Sequence, residues 1–387
     1  MKLLRAAGRA DVEARATRMP GVDNLKVALV VAVVVAHATM AWTGQSGAWA
    51  LTEPPVREPM LTLLSLAALV GVMFAMATFF YIAGVFTPAS LGRKGTERYL
   101  LDRTLRLGVP LLAYLLLLSP VVEYVDARDE GDWNQGLLAF IPHSWLHPTP
   151  GPLWFLEVLW LFSVLYALWR AAHPATPPTT APHPARLLVL TGVLVATASF
   201  GIRLVLPFGQ EIGTTDLYLA QAPAWIAGFT LGVLAAERGW AADRLAPATS
   251  RWLFRVAWTA AAGTATVVSV TVGAFGGTID AFFGGMTWQS LTLCALQGAL
   301  VVTMPLWLVD VFSRRLRRQG RLLREMSRAA FAAFLIHQVV LVGAVLATRA
   351  APWPPEADYL TAAGLAIAGS FGLGALLLRI PGVSRIV

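Results

Sequence analysis

Charge and cysteine are both scarce in this chain. Charged residues make up 13% of its 387 residues, where about a quarter is usual for soluble proteins. Together with a hydrophobic content of 57% and a mean hydropathy of +0.63, this scarcity excludes a soluble globular protein. The only cysteine, Cys294, excludes an intrachain disulfide, so cysteine usage does not indicate the redox compartment.

Most of the chain consists of long apolar runs. A helix needs about 20 apolar residues to cross a bilayer core of about 30 Å, and windows of that length recur along the whole chain. The pattern predicts an all-α, polytopic bundle of about ten transmembrane helices, with both the N- and C-termini in the cytoplasm. The predicted spans are 25–43, 60–86, 104–125, 152–171, 186–206, 217–236, 252–275, 287–312, 329–348 and 359–379.

Little of the chain falls outside these spans. Residues 1–20 are predicted to form a cytoplasmic tail, and residues 21–387 a single transmembrane domain. A proline-rich cytoplasmic linker at about 174–185 divides four helices from six, and no internal repeat relates the two groups. The longest external loop is predicted at 126–151, either as part of an acceptor-binding surface or as an interfacial loop anchored by tryptophan.

The N-terminal region also resembles a signal peptide. Basic residues precede an apolar run that ends at the small-residue pattern Ala36-His37-Ala38. Apolar character continues past this pattern to Trp42, which favours a retained span over a cleaved one.

The net charge of +8 is distributed asymmetrically across the predicted membrane. With the N-terminus inside, 26 of the 30 lysine and arginine residues lie on the cytoplasmic side. This positive-inside pattern sets orientation, so the basic balance does not indicate a nucleic-acid partner. The densest cluster, at 314–328, is expected to contact anionic membrane lipid. The chain is therefore predicted to be a multi-pass protein of the cell membrane.

The first predicted span carries two ionisable side chains. Lys26 and His37 are separated by ten apolar residues. Eleven steps of about 100° bring both side chains to one helix face, about 16 Å apart along the axis. Polar groups inside a span are costly and usually mark a substrate or proton path. His37 is a candidate general base, because an imidazole titrates near neutral pH and can draw a proton from an alcohol.

His337 is the only other histidine that falls within a predicted span. One membrane histidine is as often a packed neutral group as a functional one, whereas two, with cations beneath them, favour function. From the predicted start of its span, His337 is expected to lie closer to the cytoplasmic face than His37. No metal site is predicted.

A second cluster of cations opens the third span. Arg103 and Arg106 lie at positions i and i+3, so their side chains share a face at the cytoplasmic start of the helix. Guanidinium groups bind phosphate in a bidentate manner, and Lys26 at the same depth would complete a three-cation rim. Positive-inside charge is the simpler explanation for this cluster taken alone.

Glu157 is the candidate acidic partner of His37. Pro152 is expected to open the fourth span, which places Glu157 about five residues below the outer surface, at a depth close to that of His37. A carboxylate there would orient or charge-stabilise the imidazole, as in nucleophile–base triads. The alternatives are that it binds a hydroxylated acceptor or pairs with a cation such as Arg203.

Taken together, these motifs resemble the bacterial acyltransferase-3 family, multispanning enzymes that acylate carbohydrates and other envelope or secreted molecules. Lys26 and His37 match its pattern of a basic residue, ten residues and a histidine, and Arg103-Thr-Leu-Arg106 with Pro110 is similar to its Arg-x-x-Arg-then-Pro element. The remaining matches are Phe79-Phe80-Tyr81-Ile82-Ala83-Gly84-Val85, Leu153-Trp154-Phe155-Leu156 and Phe334-Leu335-Ile336-His337.

One motif favours a particular branch of the family, and other positions depart from the family pattern. The Leu-Trp-Phe-Leu segment is similar to the branch that includes glucan succinyltransferases. Ala83 stands where the family usually has serine, and Phe334 where it has tyrosine. The glutamate-containing element of another branch is absent, so the role of Glu157 is not carried over from the family.

The resemblance implies a membrane acyltransferase of the EC 2.3.1 type, which transfers groups other than aminoacyl groups. The donor would be acyl-CoA, with no tightly bound cofactor, and the acceptor a hydroxyl of a carbohydrate or small molecule, as in O-acetylation of polysaccharide or other cell-envelope modification. No hydrolase-like domain follows the last span, so the membrane domain is expected to complete acetyl or succinyl transfer alone. The assigned roles are catalytic for His37, His337 and Glu157, donor-binding for Lys26, Arg103 and Arg106, and substrate-binding for Asp23, Tyr81 and Trp154.

Two other functions are compatible with buried histidines. A transporter or flippase would use them as a proton relay, but the paired, interrupted helices typical of alternating access are not evident in the sequence. A structural or sensory membrane protein would tolerate replacement of Lys26 and His37, and leaves their shared face unexplained.

Overall fold

Helices account for the regular structure of the chain. The computed structural model describes residues 19–44, 51–173, 184–211, 217–239 and 245–386, and within these ranges there is no β-strand. Ten of the described segments are long and apolar enough to cross a membrane. The predicted all-α bundle of ten spans is therefore confirmed.

The helices follow one another with short connections. They are α1 (Pro20–Trp42), α2 (Met60–Lys94), α3 (Thr96–Glu130), α4 (Leu137–Leu146), α5 (Trp154–Ala172), α6 (Pro184–Arg203), α7 (Ala222–Glu237), α8 (Pro247–Ala274), α9 (Asp280–Phe283), α10 (Trp288–Arg314), α11 (Arg321–Thr348), α12 (Pro355–Leu377) and α13 (Val383–Ile386). The fourth span combines α4 and α5. The short helices α9 and α13 have four residues each.

Several helices extend beyond the apolar runs that predict them. α2 continues through Pro88 to Lys94, and α11 begins at Arg321 rather than at residue 329. Hydropathy detects only the apolar part of a helix, so polar or basic turns at its ends are missed. Residues 1–18 of the predicted tail and residues 174–183 of the predicted linker lie outside the described residues.

The segment 126–151 is not the single external loop that its polar residues and prolines suggest. α3 runs on to Glu130, and α4 occupies Leu137–Leu146 with Pro142 inside it. The apolar residues of α4 bury Phe140 against the end of α3, which explains why a helix forms there.

α3 contains two wide π-helical turns, Thr104–Gly108 and Tyr114–Leu118. Each turn ends two residues before a proline, Pro110 or Pro120. Proline lacks a backbone N–H and its ring clashes with the carbonyl four residues earlier, so a locally widened helix accommodates it. The second π-turn contains Tyr114, which reaches the candidate site described below.

α2 and α7 pack at very close range through glycine. Gly228 and Gly232 form a Gly-x-x-x-Gly pair on α7, and a Cβ atom at either position would overlap the α2 backbone at Ala77 or Tyr81. Such pairs let membrane helices approach closely, where van der Waals packing replaces the hydrophobic effect. This contact joins a helix before the proline-rich linker to one after it.

Candidate active site

His37 of α1 and His337 of α11 lie side by side inside the bundle, and we call them the histidine pair. Their ring centroids are 5.0 Å apart, with the ring planes at 60°. His337 is completely buried, whereas His37 is half-buried. The structure therefore brings together two histidines that lie 300 residues apart in the sequence.

The start of α11 differs from the predicted start of its span at residue 329. The helix begins at Arg321, because its first turns are basic and give no hydropathy signal. His337 follows the first residue of α11 by sixteen positions, and His37 follows the first residue of α1 by seventeen, so each histidine lies about 25 Å along its own helix. The lower position expected for His337 relative to the cytoplasmic face stays a prediction.

Both histidines are oriented by their own helix. Nδ1 of His37 lies 2.8 Å from the carbonyl oxygen of Val33, and Nδ1 of His337 lies 2.6 Å from that of Phe334. A carbonyl only accepts hydrogen bonds, so each neutral ring carries its proton on Nδ1 and leaves Nε2 as the acceptor nitrogen. Nε2 of His337 is buried and has no hydrogen-bond partner.

Aromatic side chains pack on the His337 side of the histidine pair. Phe334 stacks on His337 with ring centroids 5.6 Å apart. Phe79 and Phe155 then pack against Phe334 at 6.2 and 6.0 Å. This apolar wall lowers the local dielectric constant, which favours the neutral form of an imidazole and strengthens its electrostatic interactions with any charged group brought close to it.

A buried polar contact joins α3 to α11 one residue beyond His337. Tyr114 donates a hydrogen bond to Oε1 of Gln338, the residue that follows His337. Gly151, with φ of +52°, lies over this contact, and a Cβ there would come within 2.6 Å of the Tyr114 hydroxyl and 2.8 Å of Oε1. Both the positive φ and the lack of space require glycine at position 151.

A cleft of about 290 Å³ opens at the N-terminal ends of α1 and α11. We call it the Lys26 cleft; its lining includes Asp23, Lys26, Phe86, Arg324 and Arg328. Nζ of Lys26 lies 3.4 Å from Oδ1 of Asp23 and 5.1 Å from the centre of the Phe86 ring. Arg328 also lies 3.6 Å from Oε1 of Glu325, whereas no ion pair is shown for Arg324 in the described residues. The lining itself has three cations and one carboxylate, so its net positive charge suits an anionic group.

Arg103 and Arg106 do not line the Lys26 cleft, so the structure does not form the predicted three-cation rim there. Arg106 pairs with Asp102 at 3.2 Å, and Lys94 pairs with the same carboxylate at 2.7 Å. The guanidinium of Arg103 lies 5.3 Å from the Tyr99 ring, and its buried Nε has no hydrogen-bond partner. The two other cations that line the cleft with Lys26, Arg324 and Arg328, come from α11 instead.

The other predicted site residues are Asp23, Trp154, Tyr81 and Glu157. Asp23 lines the Lys26 cleft, whereas Trp154 stacks on Trp225 with ring centroids 4.4 Å apart. Tyr81 is 3% exposed in an apolar cluster separate from that of Phe334, so the structure does not place it beside the histidine pair. Glu157 is half-buried on α5, and its pairing with His37 stays a prediction.

A second cleft, of about 440 Å³, opens at the C-terminal ends of α1 and α11. We call it the Arg349 cleft; its lining includes Trp42, Glu53, Asp129, Arg349, Trp353 and Asp358. Arg349 pairs with both Glu53, at 2.6 Å, and Asp129. Its hydrogen bond to Asp129, reinforced by the one to Glu53, raises the pKa of Arg349 above its ordinary value.

Arg203, at the end of α6, is completely buried but does not pair with Glu157. Its guanidinium donates to Sγ of Cys294 at 3.3 Å and to Oε1 of Gln297, and it lies 4.5 Å from the Phe208 ring. This arrangement ties α6 to α10 through polar contacts inside the bundle.

Four residues at or near the site were not predicted from the sequence as site residues. Arg324 and Arg328 were assigned to lipid contact, although their i, i+4 spacing already puts them on one face of any helix that includes them. Gln338 and Tyr114 are polar side chains within apolar spans, which is the signal that identified the histidines. In the part of the chain that the structure describes, no group of three His, Cys, Asp or Glu side chains is placed to hold a metal ion.

The fold and the site together define a multi-pass membrane protein with ionisable groups gathered along one helix pair. The profile of the acyltransferase-3 family, described as an acyltransferase domain, matches residues 19–379. The chain belongs to this family, which confirms the resemblance drawn from its motifs and indicates membrane acyl transfer. The match does not distinguish branches of the family. Searches of curated proteins and of solved structures gave no match.

Proposed function

We propose that the protein transfers an acetyl or succinyl group from cytoplasmic acyl-CoA to a hydroxyl of a carbohydrate or other envelope or secreted acceptor. The observation that carries this proposal is the position of the histidine pair between two clefts on one helix pair. The Lys26 cleft and the Arg349 cleft open at opposite ends of α1 and α11. His37 lies eleven residues from Lys26 and five from Trp42, or about 16 Å and 7.5 Å along the axis.

The positive-inside asymmetry orients this arrangement. With Lys26, Arg324 and Arg328 on the cytoplasmic side of a bacterial plasma membrane, the Lys26 cleft faces the compartment that contains acyl-CoA. The phosphates of the donor then bind the cations of this cleft, with Arg103 and Arg106 as further candidate contacts. The extended pantetheine arm rises along α1 and α11 and presents the thioester to the histidine pair.

His37 is the general base in this proposal. Nε2 of His37 accepts the proton of the acceptor hydroxyl as the hydroxyl oxygen attacks the thioester carbonyl carbon. The carbon–sulfur bond then breaks, and the proton passes to the CoA sulfur, which leaves as a thiol and returns the imidazole to its neutral form. His37 suits this role better than His337 because it is half-buried, whereas His337 is completely buried and adjoins it.

Replacing the base tests the proposal directly. We expect His37→Ala to reduce the rate of acyl-acceptor formation by about 10²–10⁴-fold, the usual contribution of general base catalysis. The measurement follows radiolabelled acetyl-CoA and succinyl-CoA in membranes that contain equal amounts of folded protein. Mass spectrometry of envelope glycans and secreted metabolites identifies the acylated product.

The matched control is His143→Ala, because His143 is exposed on α4 and outside the histidine pair. It is expected to retain full activity. Normal product yield from His37→Ala would end the proposal. A transporter or flippase that uses the histidine pair as a proton relay would leave the acyl-CoA thioester intact in the same assay.

A further inference from the structure

Two polar atoms in the Arg349 cleft lack partners, and they are of opposite kinds. The indole Nε1 of Trp42 is a buried donor without an acceptor, and Oδ1 of Asp358 is a buried acceptor without a donor. Both residues line the cleft. Burying such atoms costs free energy unless a ligand or water completes their hydrogen bonds. A hydroxyl group meets both needs, since it donates one hydrogen bond and accepts two.

The charged groups of the cleft are unequal in number. Three carboxylates, those of Glu53, Asp129 and Asp358, share the lining with one guanidinium, that of Arg349. Arg349 is already held between Glu53 and Asp129. It is therefore not free to bind an anionic ligand, and the remaining negative charge opposes one.

The shape of the cleft also limits its occupant. Its volume of about 440 Å³ falls in the range of ligand-binding pockets, about 300–1,000 Å³. Trp353 is 49% exposed at its edge and offers an aromatic face, while Trp42 is completely buried at its base. Aromatic faces pack against the C–H face of a sugar ring, and the adjacent polar atoms bind its hydroxyl groups.

We infer that the Arg349 cleft binds the acyl acceptor, and that this acceptor is an uncharged or basic polyhydroxylated molecule such as a neutral sugar or an amino sugar. The identity of the ligand as acceptor rests on the function proposed above, whereas its chemical class rests on the cleft. A sugar phosphate, a uronic acid or a pyrophosphate-linked sugar would meet uncompensated carboxylates there. The cleft thus selects against anionic acceptors by charge repulsion.

Ligand-detected NMR on the purified full chain in detergent tests this inference without requiring turnover. The probes are methyl glucoside as the neutral sugar, glucosamine as the basic sugar and glucuronic acid as the anionic sugar. We expect saturation transfer to the first two at millimolar concentration, and binding of glucuronic acid at least about tenfold weaker, the factor that about 1.4 kcal/mol gives.

Two variants locate the binding site. Trp353→Ala removes the exposed aromatic face, and Asp358→Asn removes the unpartnered carboxylate, so each is expected to weaken methyl glucoside binding by about fivefold or more. Trp288→Ala is the matched control, because Trp288 is 58% exposed and does not line the cleft. The control is expected to bind all three probes as the unmodified protein does.

The outcomes separate this inference from the proposed function. His37→Ala is expected to bind methyl glucoside normally while losing acyl transfer, since His37 acts in the chemistry. The inference would be overturned if Trp353→Ala and Asp358→Asn left methyl glucoside binding unchanged. It would also be overturned if glucuronic acid bound more tightly than methyl glucoside. Normal acyl transfer by His37→Ala alongside cleft-dependent sugar binding would overturn the proposed mechanism and leave the cleft assignment intact.

Discussion

At the residue scale, the two histidines differ in their access to a substrate. His37 and His337 are anchored in the same way, each with Nδ1 held by a carbonyl of its own helix. Only His337 is completely enclosed, with Phe334 stacked on it and Gln338 fixed by Tyr114 beside it. We therefore propose that His337 supports His37 and does not itself contact the substrate.

Arg324 and Arg328 of the Lys26 cleft are expected to bind the phosphates of the donor. We expect the double variant Arg324→Gln, Arg328→Gln to raise KM for acyl-CoA by about tenfold, because it removes two phosphate partners, while kcat changes little. Steady-state kinetics with acetyl-CoA and succinyl-CoA measure both constants. Because these side chains are exposed, the effect is expected to shrink at high ionic strength.

Arg321→Gln is the control for this double variant, since Arg321 is exposed on the same helix and does not line the cleft. It is expected to leave KM unchanged. An equal rise in KM from Arg321→Gln would indicate general surface charge, and no rise from the double variant would remove the cleft from the donor site.

At the element scale, the site depends on α1 and α11 running parallel and in register. The spacing of Lys26 and His37 predicted their common face, because that relation lies within one helix. The start of α11 was mispredicted, because the basic turn from Arg321 gives no hydropathy signal. Phe80 and Tyr81 show a similar limit: they match one motif, but neighbouring residues on a helix point about 100° apart and pack into different clusters.

The α2–α7 contact gives a prediction about stability. We expect Gly232→Ala to lower Tm by several degrees, because the added Cβ overlaps the α2 backbone at Tyr81 and overpacking costs about 1–3 kcal/mol. Thermal unfolding of the purified protein in detergent measures this change.

Gly71→Ala is the control within α2, since a Cβ at that helical position meets no atom within 4 Å. It is expected to leave Tm unchanged or slightly raised, as alanine favours a helix over glycine by about 0.5–1 kcal/mol. Equal destabilisation by both variants would show that close glycine packing is not what holds the two helices together.

At the scale of the whole molecule, the two clefts and the histidine pair lie along the same two helices. A cation-rich cleft and a carboxylate-rich cleft occupy opposite ends of α1 and α11, with the histidine pair between them. The number of spans and their all-α nature were predictable from apolar run lengths. The clefts were not, because they join residues from distant helices whose contacts no local pattern specifies.

The central claim is that acyl transfer proceeds across the membrane by way of His37. Its most direct test compares inside-out with right-side-out vesicles from cells that produce the protein, with radiolabelled acetyl-CoA or succinyl-CoA added outside. We predict that labelled ester forms only in inside-out vesicles, and that His37→Ala abolishes it. Equal labelling in both orientations, or delivery of intact acyl-CoA into the vesicle interior, would contradict the account.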